Sequence, residues 1–155
     1  MPVLVLDDGE AVVDSAAIID YLDQRVGPAR ALVPASGPER RRMLSLLGIL
    51  TGAVEKAVLT LYEVRLRPEE KRHPPFVEMC STQAKDGFEH ADRQWVGPWM
   101  AGGELSQLDV SAVAYWQFLD TANPALAERI ACPNIAALAE RAMEIEAFAS
   151  TAPKP

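Results

Sequence analysis

Few residues in this chain are placed to do chemistry. Asp14-Ser15 precedes Ala16-Ala17-Ile18-Ile19-Asp20-Tyr21-Leu22. Asp and Ser are favoured where a helix starts, because their oxygens accept backbone N–H groups that otherwise lack a partner. Those N–H groups and the positive end of the helix dipole also suit a carboxylate. The corner therefore reads either as a plain cap or as an anion-holding site. Leu105-Ser106-Gln107-Leu108-Asp109-Val110 is a second helix opening. Ser106 can cap the N–H of Asp109 while the Asp109 carboxylate reaches back to the Ser106 N–H, a capping box flanked by Leu105 and Val110 at the hydrophobic-staple positions. This one is structural, contributing ~1 kcal/mol to helix formation. His73 and His90 have no second ligand at metal spacing and read as solvated surface. Cys80 falls on an apolar stripe and reads as core, whereas Cys132, just before Pro133, is expected at an accessible helix boundary with nothing to activate it. Arg40-Arg41-Arg42 opposes the dipole of the helix it begins and reads as a solvated face, with a subunit interface as the lesser reading. There is no metal motif, no phosphate loop and no Ser/His/Asp order that would suggest hydrolysis, so no catalytic residue and no metal site are assigned.

The elements that position these residues can be read from pattern. The chain has 155 residues, 49% hydrophobic and 24% charged, which suits one globular domain with a real core and excludes a disordered scaffold. Its net charge of −7 argues against a nucleic-acid partner. No apolar run approaches the ~20 residues of a membrane span, and the N-terminus has no basic region of a secretory signal. Two isolated cysteines fit a reduced, cytoplasmic setting. Val3-Leu4-Val5-Leu6 and Glu10-Ala11-Val12-Val13, joined across Asp7-Asp8-Gly9, predict a hairpin. A helix follows from Asp14-Ser15 to Gly27-Pro28, where Gly is suited to the C-terminal cap and Pro to a stop. Residues 28–36 read as a linker. Beyond it the sequence is all helical. Gly37-Pro38-Glu39 opens a long helix with Met43, Leu47, Leu50, Val54, Val58 and Leu61 on one face. Pro74-Pro75 opens the next, with Phe76, Cys80, Ala84, Phe88, Ala91 and Trp95 buried. The helix after Ser106 is apolar nearly all round and is expected at the centre of a bundle. Pro124 and Pro133 open two more, the second running from Asn134 to about Glu146.

In this order the motifs resemble the glutathione S-transferase family. The residues that carry the resemblance are Pro2-Val3-Leu4, Asp8-Gly9, Asp14-Ser15 and Tyr21-Leu22, then Met100-Ala101-Gly102-Gly103 before Ser106-Gln107-Leu108-Asp109, then Cys132-Pro133-Asn134-Ile135 through Phe148. The likeness implies a mainly α fold: an all-helical C-terminal bundle, residues 37–155, preceded by a partial thioredoxin-like β-β-α unit, residues 1–27. It implies that the chain begins partway through that first unit, by natural truncation or a mis-assigned start at Met1. It also implies glutathione as co-substrate and no other cofactor. The glutathione-binding residues it implies are Met1, Pro2, Asp14 and Ser15, with Ser15 at the γ-glutamyl carboxylate, Asp14 near its amino group, and the family's cis-proline at Pro2, after Met1. The Tyr, Ser or Cys that the family sets against the glutathione sulfur, favouring the nucleophilic thiolate, has no counterpart here. Tyr62, Arg65 and Trp116 are candidates for the second-substrate pocket, but each reads as readily as a packing residue.

Two functions follow as expectations. One is a glutathione transferase acting on a small electrophile, a homodimer in the cytoplasm with no nucleic acid or membrane partner, and weak or inactive as this chain. The other is a non-catalytic helical interaction module on the same scaffold. A two-stranded hairpin also exposes an unpaired edge, which predicts association through it.

Overall fold

A computed structural model describes residues 2–152. Alternating short side chains and the Asp-Gly turn give an antiparallel hairpin, β1 (Val3–Val5) and β2 (Ala11–Val13), paired Val3 to Val13, Leu4 to Val12 and Val5 to Ala11. The turn closes with the Gly9 N–H donating to the Leu6 carbonyl at 3.0 Å and the Glu10 N–H donating to the Asp8 carboxylate at 3.0 Å. Because side chains alternate across a strand, Val3, Val5 and Val13 point to one exposed face, while Leu4, Leu6 and Val12 are half-buried. Helix α1 (Ser15–Val26) follows, and none of its residues is fully buried.

The chain clusters into two compact units, Met1–Met43 and Leu44–Pro155, dividing inside the long helix α2 (Gly37–Arg65). In the first unit the segment after α1 is tied down rather than loose. The Asp23 carboxylate accepts the N–H groups of Leu32 at 2.9 Å and Val33 at 3.0 Å. Arg40 is half-buried and bridges the Pro34 carbonyl at 3.0 Å and Asp20 at 3.3 Å, so the first arginine of the triplet is a fastener and not part of a solvated face.

The second unit is helical: the rest of α2, a 3₁₀ turn at Glu69–Lys71, α3 (Pro74–Arg93), α4 (Gln107–Ala122), α5 (Pro124–Ala127), α6 (Pro133–Ala142) and α7 (Glu146–Ala149). Its core includes Leu50, Cys80, Phe88, Leu108, Val113, Leu119, Ile135 and Leu138. On α2 the buried line runs through Leu46, Leu50, Ala53, Val54 and Ala57, while Leu47, Val58 and Leu61 are only half-buried. At one point of this line the helices approach closely: a Cβ added to Gly87 on α3 would lie 2.7 Å from the Ala53 Cβ. Contrary to the sequence expectation, α2 is long and apolar enough to cross a membrane by length and composition, with an 18-residue window of mean hydropathy 1.6, a third of it buried. A core helix of a globular bundle meets the same test, and Glu55 and Lys56 interrupt this one.

Helix α3 stops at Arg93, and the N–H groups of Gln94 and Trp95 bond three residues back to Ala91 and Asp92. Trp95 thus lies beyond the helix, half-buried, with its indole N–H on the Gly97 carbonyl. The expected long last helix is two short ones. Met143, Glu144 and Ile145 bond three residues back, tightening the end of α6 into a 3₁₀ turn before α7. Helix α4 packs against α5 and α6. Its first turns are buried, whereas Tyr115–Phe118 are half-buried and Ala114 is exposed, so only its N-terminal half is central.

Candidate functional site: the strand-to-helix corner at Asp14

The hairpin delivers β2 directly into α1, and the turn between them is made by one residue. Asp14 has φ 80° and ψ 142° and is the only non-glycine residue with positive φ among those described. This region is nearly restricted to glycine, and a side chain there stores strain of ~1–3 kcal/mol. Three hydrogen bonds hold it. The Asp14 N–H donates to the Pro2 carbonyl at 3.1 Å, its carbonyl accepts from the Ile18 N–H at 3.0 Å, and its carboxylate accepts from the Ala16 N–H at 2.9 Å. The hairpin register therefore brings Pro2 and Asp14, far apart in sequence, into backbone contact.

What remains open at this corner defines its chemistry. Among the described residues, the Ser15 N–H, the Ser15 hydroxyl and the Ala17 N–H have no acceptor, and both residues are exposed. Three donors at the positive end of a helix suit a carboxylate. The second oxygen of the exposed Asp14 carboxylate is available to a cation beside it. Met1, which the family resemblance implicates with Pro2, lies outside the described residues, and so does the geometry of the Met1–Pro2 bond.

The other singled-out residues fall elsewhere. The capping box closes at α4. The Asp109 carboxylate is fully buried and accepts the N–H groups of Met100 at 2.7 Å and Ser106 at 2.9 Å, and the Ser106 hydroxyl at 2.6 Å. His73 and His90 are not buried, and no cluster of three potential metal ligands occurs among the described residues. Cys80 is core, as expected. Cys132 is buried rather than accessible: burial pushes its thiol up to about 12, helped by the Asp92 and Glu89 carboxylates. Asp92 is itself buried, accepting the Ile135 N–H at 2.8 Å and so capping α6 from a distant helix, which no local pattern announces. Glu89 accepts the Ala131 N–H and faces Lys85, and these donors hold its pKa below the usual carboxylate value.

Two grooves are also present. One, of about 440 Å³, lies in the first unit against Leu4, Leu6, Asp8, Tyr21, Leu22 and Arg25. The other, of about 500 Å³, lies at the C-terminal end of α2 and includes Tyr62. Asp14 and Ser15 line neither. Arg65 donates to the Ala122 carbonyl at 2.8 Å, and Trp116 meets Phe88 edge to face at 6.1 Å, so both serve packing.

Comparison with known proteins shows what the chain is similar to. The family profile of the glutathione S-transferase N-terminal domain matches residues 1–30. Glutathione S-transferase 1 of Manduca sexta is 26% identical over 94% of this chain and 65% of its own length. Maleylacetoacetate isomerase of Pseudomonas aeruginosa is 28% identical over 96% of this chain and 61% of its own. The chain thus spans less than two thirds of both curated relatives. A crystal structure of a glutathione S-transferase from Methylobacillus flagellatus with glutathione bound superposes with a TM-score of 0.89 at 26% identity, covering 99% of this chain and 76% of that one.

Proposed function

From the premise that the chain belongs to the glutathione S-transferase family, a family that uses glutathione as its substrate, we propose that the Asp14–Ser15 corner grips the γ-glutamyl end of glutathione. The carboxylate meets the Ser15 N–H, the Ser15 hydroxyl and the Ala17 N–H, and the ammonium lies beside the Asp14 carboxylate. The carrying observation is the strained Asp14 backbone, held in a glycine-type conformation next to three donors without acceptors. Strain of this kind persists where the surrounding structure enforces it, commonly at binding sites. Pro2, bonded to Asp14 through its carbonyl, brings the start of β1 to the same corner. Conjugation to a small electrophile is the reaction the family membership suggests for the protein. The test is retention on immobilised glutathione and release by free glutathione. Ser15→Ala is expected to weaken binding by about tenfold, the value of one charge-assisted hydrogen bond. Retention unchanged in Ser15→Ala removes the assignment.

A homodimer is the second part of the reading. Leu44, Ile49, Leu59 and Tyr62 are exposed large apolar residues on one helix. Gly48 and Gly52 lie on the same stretch, and a Cβ added at either would meet nothing within 4 Å, which leaves room for a second backbone. An antiparallel pairing of α2 with a second copy, its twofold axis at Gly48, sets Leu44 against Gly52. Gly48→Glu should shift the sedimentation of a dimer to that of a monomer; a monomeric parent protein contradicts the pairing. Binding to partners other than a second copy, with no glutathione retention, would favour the non-catalytic module.

A further inference from the structure

Two charges stand on the same face of α2 as its apolar seam. Gly37–Arg65 is one continuous helix, and Gly48 marks the twofold axis of the pairing proposed above. At about 3.6 residues per turn, positions seven apart lie almost over one another, about two turns along. Arg41 precedes Gly48 by seven residues and Glu55 follows it by seven, so both fall on the stripe that Leu44, Gly48 and Gly52 occupy. Both are exposed. Neither has a hydrogen bond or ion pair with any described residue. Their own helix offers none, because no oppositely charged residue lies three or four positions from either. The other charges nearby are off the stripe: Arg40 and Lys56 point about 80° away from Gly48, and Arg40 is already tied to Asp20 and the Pro34 carbonyl. Two opposite charges thus stand without partners at symmetric positions on one helix face.

An antiparallel twofold at Gly48 sets each residue against the one equally far along on the other side of the axis. Leu44 then faces the partner's Gly52, and one turn further out Arg41 faces the partner's Glu55. Resting on that pairing, we infer that Arg41 and the partner's Glu55 form an ion pair, made twice by symmetry about 10 Å either side of the axis, and that these two pairs select a second copy of this chain as the partner of α2. The glycines admit a second backbone and the apolar side chains supply attraction, but neither distinguishes one apolar helix from another. The charges do. A parallel, in-register pair sets Arg41 against Arg41 and Glu55 against Glu55, and a foreign helix lacking the same two charges leaves both without a partner. Each copy has a net charge of −7, so the copies repel at long range and local opposite charges must offset that repulsion.

The test is a charge swap in the full chain, read by sedimentation equilibrium. Arg41→Glu and Glu55→Arg each turn both contacts into like-charge pairs, and each should weaken self-association about tenfold. Glu55→Arg is the sharper of the two. It brings the net charge of −7 nearer to zero, so long-range repulsion alone would strengthen association. The double variant restores opposite charges and should return to within about threefold of the parent. An equimolar mixture of the two single variants should form mixed dimers as tightly as the parent dimer, since every contact is then between opposite charges, and native mass spectrometry separates these from either homodimer by mass. Both positions are exposed, so the variants should keep the fold, which circular dichroism checks. A parent dimer that Gly48→Glu dissociates but neither reversal weakens overturns the ion pairs and leaves the α2 pairing standing. So does a double variant that fails to recover, or a mixture without mixed dimers. A monomeric parent overturns the pairing and the ion pairs together.

Discussion

Two helices in this protein begin with an Asp and a Ser close together, and the two corners are built for opposite ends. At α4 the Asp109 carboxylate is fully buried and accepts three hydrogen bonds, two from backbone N–H groups and one from Ser106. At α1 the Asp14 carboxylate is exposed, accepts one, and sits on a backbone at φ 80°. The first corner has turned its polar capacity inward. The second leaves donors open and holds a conformation that costs energy. The same residue types thus give a structural fastener in one place and a ligand-ready corner in the other, and what separates them is burial and satisfaction of the polar groups.

The largest test of the contrast is Asp109→Ala. It strands the Met100 and Ser106 N–H groups in the interior and removes the α4 cap, at a combined cost of about 3–4 kcal/mol. Urea denaturation should show the midpoint falling accordingly. A change under about 1 kcal/mol would mean that water reaches the site and that the buried corner is no fastener. The surroundings of the two corners give the next effect. Helix α1 has no fully buried residue, whereas α4 has seven. Amides of α4 should therefore exchange with solvent at least about 100-fold more slowly than those of α1, since local opening free energy follows buried contact. Equal protection would show that the two corners share one level of stability and would dissolve the comparison.

Much of this was legible in the sequence. The hairpin, α1 and the capping box announce themselves through adjacent residues: alternation around Asp-Gly, Asp-Ser before an apolar run, and Ser106 with Asp109 three residues on. Legibility fails where the deciding contact is distant. Asp23 looks like any exposed helix residue, and nothing local says that it will tie down Leu32 and Val33. Asp92 caps α6 across more than 40 residues. Ala53 carries a weak apolar signal, yet it is buried where α2 and α3 come close, because Gly87 has no Cβ to clash with it. At the candidate site, Asp14 and Ser15 were readable as a helix start. The positive φ was not, because residue type permits it without requiring it. The groove at the C-terminal end of α2 has contributors on three elements and no motif at all.

Cys132 extends the contrast to pH. Its thiol, ordinarily near 9.0, is held up to about 12 in the folded state, first by burial and then by Asp92 and Glu89. Between those values the unfolded chain loses the proton while the folded chain keeps it, so folding stability falls as pH rises from 9 towards 12. Below 9 the group contributes no pH dependence. In the native protein at pH 8, a thiol reagent should label neither Cys80 nor Cys132, both being buried, and should label both in denaturant. Fast native labelling of Cys132 would mean that the α6 end opens as readily as α1.

The smallest effect is also the most discriminating, because it separates stability from binding at one residue. Asp14→Gly removes the side chain that makes φ 80° costly, and glycine as an N-cap loses only a few tenths of a kcal/mol relative to Asp. Relief of strain exceeds that loss, so this variant should be as stable as the parent or up to about 1 kcal/mol more so. Asp14→Ala keeps the strain and loses the cap bond to Ala16, and should be less stable by about 1 kcal/mol. Both variants lose the carboxylate proposed to face the ammonium of the ligand, so both should be retained less well by immobilised glutathione. A stabilised Asp14→Gly that binds glutathione as well as the parent would make Asp14 an ordinary cap on an awkward turn. A stabilised variant that no longer binds would show the strain being maintained for the ligand, a cost that Asp109, inside its own closed network, never has to bear.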